Sequence, residues 1–454
     1  MSKTIKLKRG FDIKLVGKAE AKIASIAQPE VFAVKPLDFV GMQRPKVTVQ
    51  AGDKVKAGTP ILFDKKMDQV QYTAPVSGEI VEIRRGLKRR LEEIVIKADQ
   101  EMQYEEFASY SAGELAKLSK EDAQAAMTKS GVWPQLVQRP YGVVANPDVA
   151  PRDIFVSGFD SSPLAPDYDF IFQGEEKYLQ AGVDVLNKFT KNNVYVSLNG
   201  NAANKVMKSL KNVNFNSFTG KHPAGNVGVQ IHHLAPVSGQ HDVVWTINPY
   251  GLIQIGKLFL EGKYDAAKVV AVTGSEVKAP QYVKTYMGAS IKPYVAKKLK
   301  EENVRYISGS VLTGTRIKED GFLGYYDHSF TVIPEGNEQE LFGWIMPGEN
   351  KLSFQRALGL FGWVNPNKEY RLNSNQRGEL RAFVQSGVLE KVVPMDLYPV
   401  HLLKAILAQD FENMEALGIY EVVEEDLALC EFVDVSKHKV QAIIREGLDL
   451  LQYS

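Results

Sequence analysis

Cysteine is nearly absent. Cys430 is the single cysteine in 454 residues, and a lone thiol closes no intrachain disulfide, no cysteine-rich zinc site and no iron–sulfur cluster. Long apolar runs are missing too. A membrane-spanning helix needs about 20 mostly apolar residues, and the best stretch, residues 243–260, is broken by Asn248, Pro249, Gln254 and Lys257. Residues 1–17 are basic but carry no apolar core after the charges, so they do not read as a secretory leader. Neither charge sign is in excess. Lys plus Arg total 55 and Asp plus Glu 54, a net charge of +1, which gives no bulk attraction for nucleic acid. Glycine-rich phosphate loops are lacking as well. Phe172-Gln173-Gly174-Glu175 and Leu198-Asn199-Gly200-Asn201 each hold one glycine, too few to lay a run of backbone N–H groups on a pyrophosphate. No Walker A sequence, G-x-S-x-G elbow or H-E-x-x-H pair occurs.

What is present reads as a multidomain globular chain. Apolar residues make up 44% and charged residues 24%, the ordinary balance for a folded soluble protein. The length suggests about three domains. Residues 1–100 read as short strands between glycine turns: Lys46-Val47-Thr48-Val49-Gln50 alternates, Ile61-Leu62-Phe63 is a short apolar run, and Glu79-Ile80-Val81-Glu82-Ile83 alternates again. Ser111 and Ser119 stand before acidic first turns, as helix caps. Phe155-Val156, Phe170-Ile171-Phe172 and Val194-Tyr195-Val196 read as strands, with helices expected over residues 176–189 and 201–210. That alternation argues for an α/β layer. Residues 265–350 return to strands, at 268–272, 304–308 and 329–333, with one helix over 291–299. Residues 376–454 read as mostly helical.

Three features carry possible chemistry. G-D-x-V-x-x-G-x-P-I-L at 52–62 and A-P-V-S-G-E-I-V at 74–81 resemble biotinyl- and lipoyl-carrier domains, with Lys65 and Lys66 near the tip where a carrier holds its modified lysine but out of its register. Arg84-Arg85-Gly86-Leu87-Lys88-Arg89-Arg90 packs five charges into seven residues, a solvated hairpin tip or a patch for anionic lipid, nucleotide or an acidic partner. His222, His232, His233 and His241 fall within twenty residues. Zinc needs converging ligands, and adjacent His232 and His233 would face opposite sides of a strand. A histidine N–H on a quinone carbonyl is a further chemical option, beside plain structural roles.

Seven stretches in order then resemble the family of A subunits of Na+-translocating NADH:quinone reductases. They are Lys6-Leu7-Lys8-Arg9-Gly10-Phe11-Asp12, the 52–62 and 74–81 barrel pattern, Gly220-Lys221-His222-Pro223-Ala224-Gly225 leading to Ile231-His232, Val244-Trp245-Thr246-Ile247-Asn248, residues 305–312, Glu340-Leu341-Phe342-Gly343-Trp344, and Glu424-Glu425-Asp426-Leu427-Ala428-Leu429-Cys430. The same order is similar to the C subunit of Rnf complexes and, more distantly, to the flavin subunit of respiratory complex I. Where those relatives hold nucleotide phosphates on glycines, Ser130-Gly131-Val132-Trp133-Pro134 has few; where Rnf subunits carry cysteine clusters, only Cys430 remains.

The resemblance implies a multidomain α+β fold: a barrel-sandwich hybrid over 1–103, a Rossmann-like α/β domain over 104–262, an SLBB β-grasp domain over 263–350 and a helical domain with a degenerate iron–sulfur frame over 351–454. It implies a peripheral subunit on the cytoplasmic face of a bacterial inner membrane, working with the other subunits of a complex that couples NADH oxidation and quinone reduction to Na+ export. The NADH site, flavins and iron–sulfur centres would belong to those partners. No tightly bound cofactor, metal or catalytic residue is expected in this chain. Quinone is the ligand it would meet, with Phe39, Met42, Arg44, Trp133, Arg139, Tyr141, His222 and His232 as candidate contacts. The competing readings are a ligand- or protein-binding adaptor without a redox role, a lipoyl or biotin carrier, and a flavin-bearing Rnf-type subunit.

Overall fold

The computed structural model describes residues 2–338, 340–343, 345–355, 365, 367–383 and 387–453. Trp344 and parts of the 351–454 segment lie outside the described residues. Two small sheets form the barrel unit. One runs in the order Val31–Val34, Leu91–Ala98, Gly78–Arg85, Lys54–Val55 and the other Pro45–Val47, Pro60–Asp64, Met67–Thr73. Ile61, Leu62, Val70, Ile80, Ile94 and Ile96 are fully buried between them. The turn glycines take the backbone conformations expected of them: Gly58 and Gly78 have φ of 98° and 157°, and a Cβ at Gly78 would overlap the Lys97 carbonyl.

The strands before this barrel belong elsewhere. Thr4–Lys6 is the edge of a seven-stranded sheet and pairs in parallel with Asn214–Thr219. Val194–Asn199, Ile154–Ser157 and Val244–Ile247 continue the parallel order. Val137–Arg139 and Val143–Val144 close it antiparallel. Glu20–Ile23 instead edges a six-stranded sheet built from Gln281–Tyr286, Ala267–Thr273, Ser329–Pro334, Val304–Ser308 and Thr315–Ile317. The first 25 residues therefore stitch three units together.

Helices Glu176–Leu186 and Pro249–Glu261 pack on each other. Gly182 lies on the Leu252 backbone and Gly256 on the Tyr178 backbone, so a Cβ at either would overlap main chain. The second helix starts at Asn248, whose side chain accepts from Gly251 N at 2.9 Å, has Pro249 in its first turn and ends at left-handed Gly262. It is 13 residues long. Among the described residues no helix is long and apolar enough to cross a membrane. Ser111 and Ser119 do cap helices, Ser111 in a capping box with Glu114.

Several local expectations are corrected, and the helix expected over 291–299 is confined to Lys292–Val295. Phe170-Ile171-Phe172 lies on and just after a helical turn, Tyr168–Ile171, because Asp167 accepts from Asp169 N and starts it. Residues 201–210 yield only the turn Met207–Ser209. Asn204 sits at φ 50° and donates to the Asn199 and Ala202 carbonyls, a local network that competes with a helix. His232 and His233 end the helix Val227–Leu234 rather than lying on a strand. Toward the C-terminus, Pro399–Leu407, Phe411–Ala416, Ala428–Val433 and Val440–Tyr453 are helical and share a core of Leu402, Leu403, Ile406, Leu427, Cys430 and Ile444. Between 376 and 398 the one helical turn among the described residues is Leu389–Lys391.

Candidate functional site

The barrel, the seven-stranded sheet unit and the six-stranded sheet meet around Phe39. Its ring lies 4.4 Å from Tyr72, 4.8 Å from Tyr325 and 6.2 Å from Tyr326, all edge-on or tilted. The rings of Phe39, Tyr72 and Tyr325, with Lys35, Asp38, Gly131, Pro134, Tyr264 and Met287, wall a cavity of about 360 Å³, part of it open to solvent. The space left inside holds about one water molecule.

The polar groups of this wall are paired. Lys35 Nζ lies 3.3 Å from Asp38 and donates to the Phe322 carbonyl at 3.2 Å. Asp38 also accepts from Tyr325 N at 2.8 Å. Burial pushes the Asp38 carboxyl up, against the pull of Lys35. Tyr325 and Tyr326 donate to the carbonyls of Gly131 and Pro134 at 3.3 and 2.6 Å, so the six-stranded sheet unit holds the 131–134 loop. Burial raises the phenols of Tyr72, Tyr325 and Tyr326, and that of Tyr264 to about 12, so all four stay protonated donors.

A second buried layer stands behind the wall. Lys268 is 3% exposed, donates to the Tyr325 carbonyl at 3.2 Å, and burial draws it down to about 8 despite Asp327 and Asp38 nearby. Asp327 accepts from Ser308 Oγ at 2.6 Å. His328 stacks on Tyr250 at 4.6 Å, has no hydrogen-bond partner at Nδ1, and burial holds it neutral.

The candidates from sequence divide into two groups. Phe39 centres the cavity. Met42 packs nearby, its N–H on the Phe39 carbonyl, and Arg44 is exposed, its backbone N–H on Asp64. Trp133 is fully buried one residue from the lining Pro134, with Nε1 donating to the Ala145 carbonyl at 2.7 Å and its ring edge-on to Trp245. Of the others, Arg139, Tyr141 and His232 lie against the C-terminal segment, and His222 lies beside Ser161 and Asp12. Arg139 is 3% exposed and gripped by Asp426 and Glu425, each at 2.9 Å, which occupies its guanidinium. Tyr141 meets Tyr420 edge-on at 6.1 Å. His222 Nδ1 faces Ser161 Oγ at 3.1 Å, its Nε2 is buried without a partner, and burial lowers it to about 4. His232 Nδ1 meets Glu421 at 2.6 Å while Nε2 accepts from Asp396 N. The acceptor role fixes the proton on Nδ1. Sequence reasoning missed Lys35, Asp38, Tyr72, Tyr264 and Lys268. A signal existed in Tyr325-Tyr326-Asp327-His328, a dense polar-aromatic run before an apolar strand.

Lys65 and Lys66 are the two residues joining strands Pro60–Asp64 and Met67–Thr73, and Lys66 lies over the Tyr453 ring. Among the described residues no group of three or more His, Cys, Asp or Glu converges on a metal position. Cys430 is fully buried, and burial pushes its thiol up, which disfavours thiolate chemistry.

Three family models match the chain. They describe an NqrA N-terminal barrel-sandwich hybrid domain over residues 5–99, an NqrA second alpha/beta domain over 118–264 and an NQRA C-terminal domain, the SLBB model, over 269–319. Curated proteins named as the A subunits of Na(+)-translocating NADH-quinone reductases are similar along the whole length. That of Alcanivorax borkumensis is 38% identical over 450 residues, that of Yersinia pestis bv. Antiqua 39% over 451 and that of Vibrio atlanticus 36% over 449, each match covering 99% of both chains.

Proposed function

Because the chain belongs to the NqrA family, the A subunits of Na+-translocating NADH-quinone reductases, we propose that it serves that complex as a peripheral subunit whose Phe39 cavity receives a quinone head group. The fold is multidomain α/β with a barrel-sandwich hybrid and an SLBB domain. In our reading the four units divide near residues 103, 262 and 350, the parallel sheet is Rossmann-like, and the C-terminal helices keep a frame without clusters. NADH, flavins and iron–sulfur centres sit in partner subunits, and the chain attaches through them to the cytoplasmic face of the membrane.

The observation that carries the quinone reading is the wall itself. A quinone is a flat apolar ring with two carbonyl acceptors. Tyr72 and Tyr325, which now pack on Phe39, offer ring faces and edges, and Lys35 offers an ammonium whose three protons are not exhausted by Asp38 and the Phe322 carbonyl. The present gaps hold about one water, so binding requires the Phe39 ring to swing out and the quinone ring to take its place. Reduction of a quinone consumes two electrons and two protons. Electrons come from partner subunits in this scheme. This chain's part is to orient the ring, exclude water and hold a proton at Lys35 Nζ.

The test is titration of the purified chain with a short-chain quinone, followed by quenching of Trp133 and tyrosine emission. Saturable binding that Lys35→Met weakens about tenfold, the loss of one charged hydrogen bond, supports the reading. Binding unchanged in both Lys35→Met and Phe39→Ala would place the quinone elsewhere. Arg139, Tyr141 and His232 act in this scheme as structural contacts to the C-terminal segment, and His222 as a buried contact of Ser161 and Asp12.

A further inference from the structure

We propose that the hairpin tip at residues 84–90 is a lipid-contacting finger that presses Leu87 into an anionic bilayer surface. Strands Gly78–Arg85 and Leu91–Ala98 run antiparallel up to the pair Arg85 and Leu91. Beyond it the chain makes a single turn, Leu87–Arg89. Leu87 is 92% exposed, the most exposed large apolar side chain among the described residues. Leu91, at the base of the tip, is buried, so the hairpin had an apolar interior available and Leu87 points away from it.

The charges around Leu87 lack counter-ions. Arg84 is paired with Glu82 and Glu93 and lies over the Phe322 ring. Arg85, Lys88, Arg89 and Arg90 are exposed, and none has a carboxylate partner among the described residues. Arg85 donates instead to the Arg89 carbonyl at 3.3 Å. The acidic group at the tip is Glu92, whose carboxylate lies against Gly86. Four cations against one carboxylate leave the tip positive. Lys88 and Arg89 hold φ of 54° and 61°, a left-handed pair that is costly for side chains other than glycine.

One apolar side chain ringed by long cationic stems suits the headgroup boundary of a bilayer. The leucine enters the acyl edge while the cations reach phosphates. A protein interface core is depleted in charge, whereas this tip sets one leucine among four exposed cations. The finger also stands at the end of the barrel that holds the 35–39 segment. Val34 pairs with Ile94, and the following turn Pro36–Asp38 packs on the strand Leu91–Ala98. The inference does not depend on quinone binding, which the titration above scores separately.

The experiment is flotation of the purified full chain with vesicles of phosphatidylcholine alone or mixed with phosphatidylglycerol, at low and high salt. The chain should float with the anionic vesicles at low salt and lose them as salt rises. Each cation changed to glutamine among Arg85, Lys88, Arg89 and Arg90 should lower partitioning roughly fivefold. Leu87→Ser, with all charges kept, should lower it about tenfold. These positions are exposed, so melting temperatures should stay put, and a drop in flotation is then a surface effect. No flotation with anionic vesicles overturns the proposal, as does flotation unaffected by the fourfold glutamine variant. Variants that float normally but no longer co-purify with the membrane subunits would make the tip a protein contact, which also overturns it.

Discussion

The carboxylate of Asp426 lies where a side chain at position 228 would begin. Gly228 is in the first turn of helix Val227–Leu234, and Asp426 belongs to the acidic turn Glu424–Leu427 ahead of the C-terminal helices. The carboxylate is 1% exposed and accepts from Arg139 at 2.9 Å and from Val423 N at 3.0 Å. Asn226 adds a hydrogen bond to the Glu425 carbonyl at 2.8 Å. A negative group at a helix N-terminus is favoured by the helix dipole. The C-terminal helices are thus fastened to the parallel-sheet unit by a charge that only glycine admits.

Gly228→Ala should undo that fastening. The new methyl overlaps the carboxylate and drives it from Arg139, leaving a buried cation short of its partner. Overpacking and a broken buried pair each cost about 1–5 kcal/mol, so a loss of about 3 kcal/mol is expected, read as a lower melting temperature and earlier protease cleavage near residues 424–427. Gly113→Ala is the control. Gly113 is also helical but meets nothing within 4 Å, and alanine there should stabilise by about 0.5–1 kcal/mol. Equal effects at both sites would contradict the fastening.

His222 should give the chain an acid-sensitive joint. Its pKa falls to about 4 in the fold because burial opposes the charged ring, against about 6.5 unfolded. The folded state therefore binds fewer protons between those values. The neutral ring's contribution is fully present above about pH 6.5 and is lost as pH falls toward 4. Between about pH 7 and pH 5 the loss is about 2 kcal/mol. His222→Asn should flatten that part of the denaturation profile. A variant that loses as much stability as the parent over the same window would show that protonation occurs elsewhere.

How far the fold was readable depends on how local its causes are. The barrel follows from turn glycines and alternating strands, and Val304–Ser308 from its own apolar pattern. The caps at Ser111 and Ser119 are short-range hydrogen bonds that the sequence spells out. Residues 170–172 and 201–210 went astray where side-chain hydrogen bonds of Asp167 and Asn204 overrode apolar content. The assignment of the first two strands to other sheets was not legible, because their partners lie more than two hundred residues away. The cavity was legible only at Phe39. Its other walls come from residues 72, 131–134, 264, 287 and 325, and nothing in their spacing reveals that they meet.

The buried lysine behind the cavity makes the last prediction. Lys268 sits in the strand Ala267–Thr273 with one hydrogen bond, to the Tyr325 carbonyl, and burial draws it down to about 8, against about 10.4 unfolded. The unfolded chain therefore holds more protons between those values, and stability rises with pH across them. The cost of charging Lys268 in the fold is complete below about pH 8 and fades as pH approaches 10. Denaturation of the parent chain should gain about 2 kcal/mol over that window relative to Lys268→Met, which has no proton to lose. The raised phenols of Tyr72, Tyr325 and Tyr326 begin to cost stability as pH nears 10 in both chains alike, so the difference between the two profiles belongs to Lys268. Parallel profiles for the two chains would mean that Lys268 keeps an ordinary pKa through water that reaches it past Tyr325. In that case the layer behind the cavity is wet, and Lys268 stays charged beside Asp38 and Asp327 up to the ordinary lysine range.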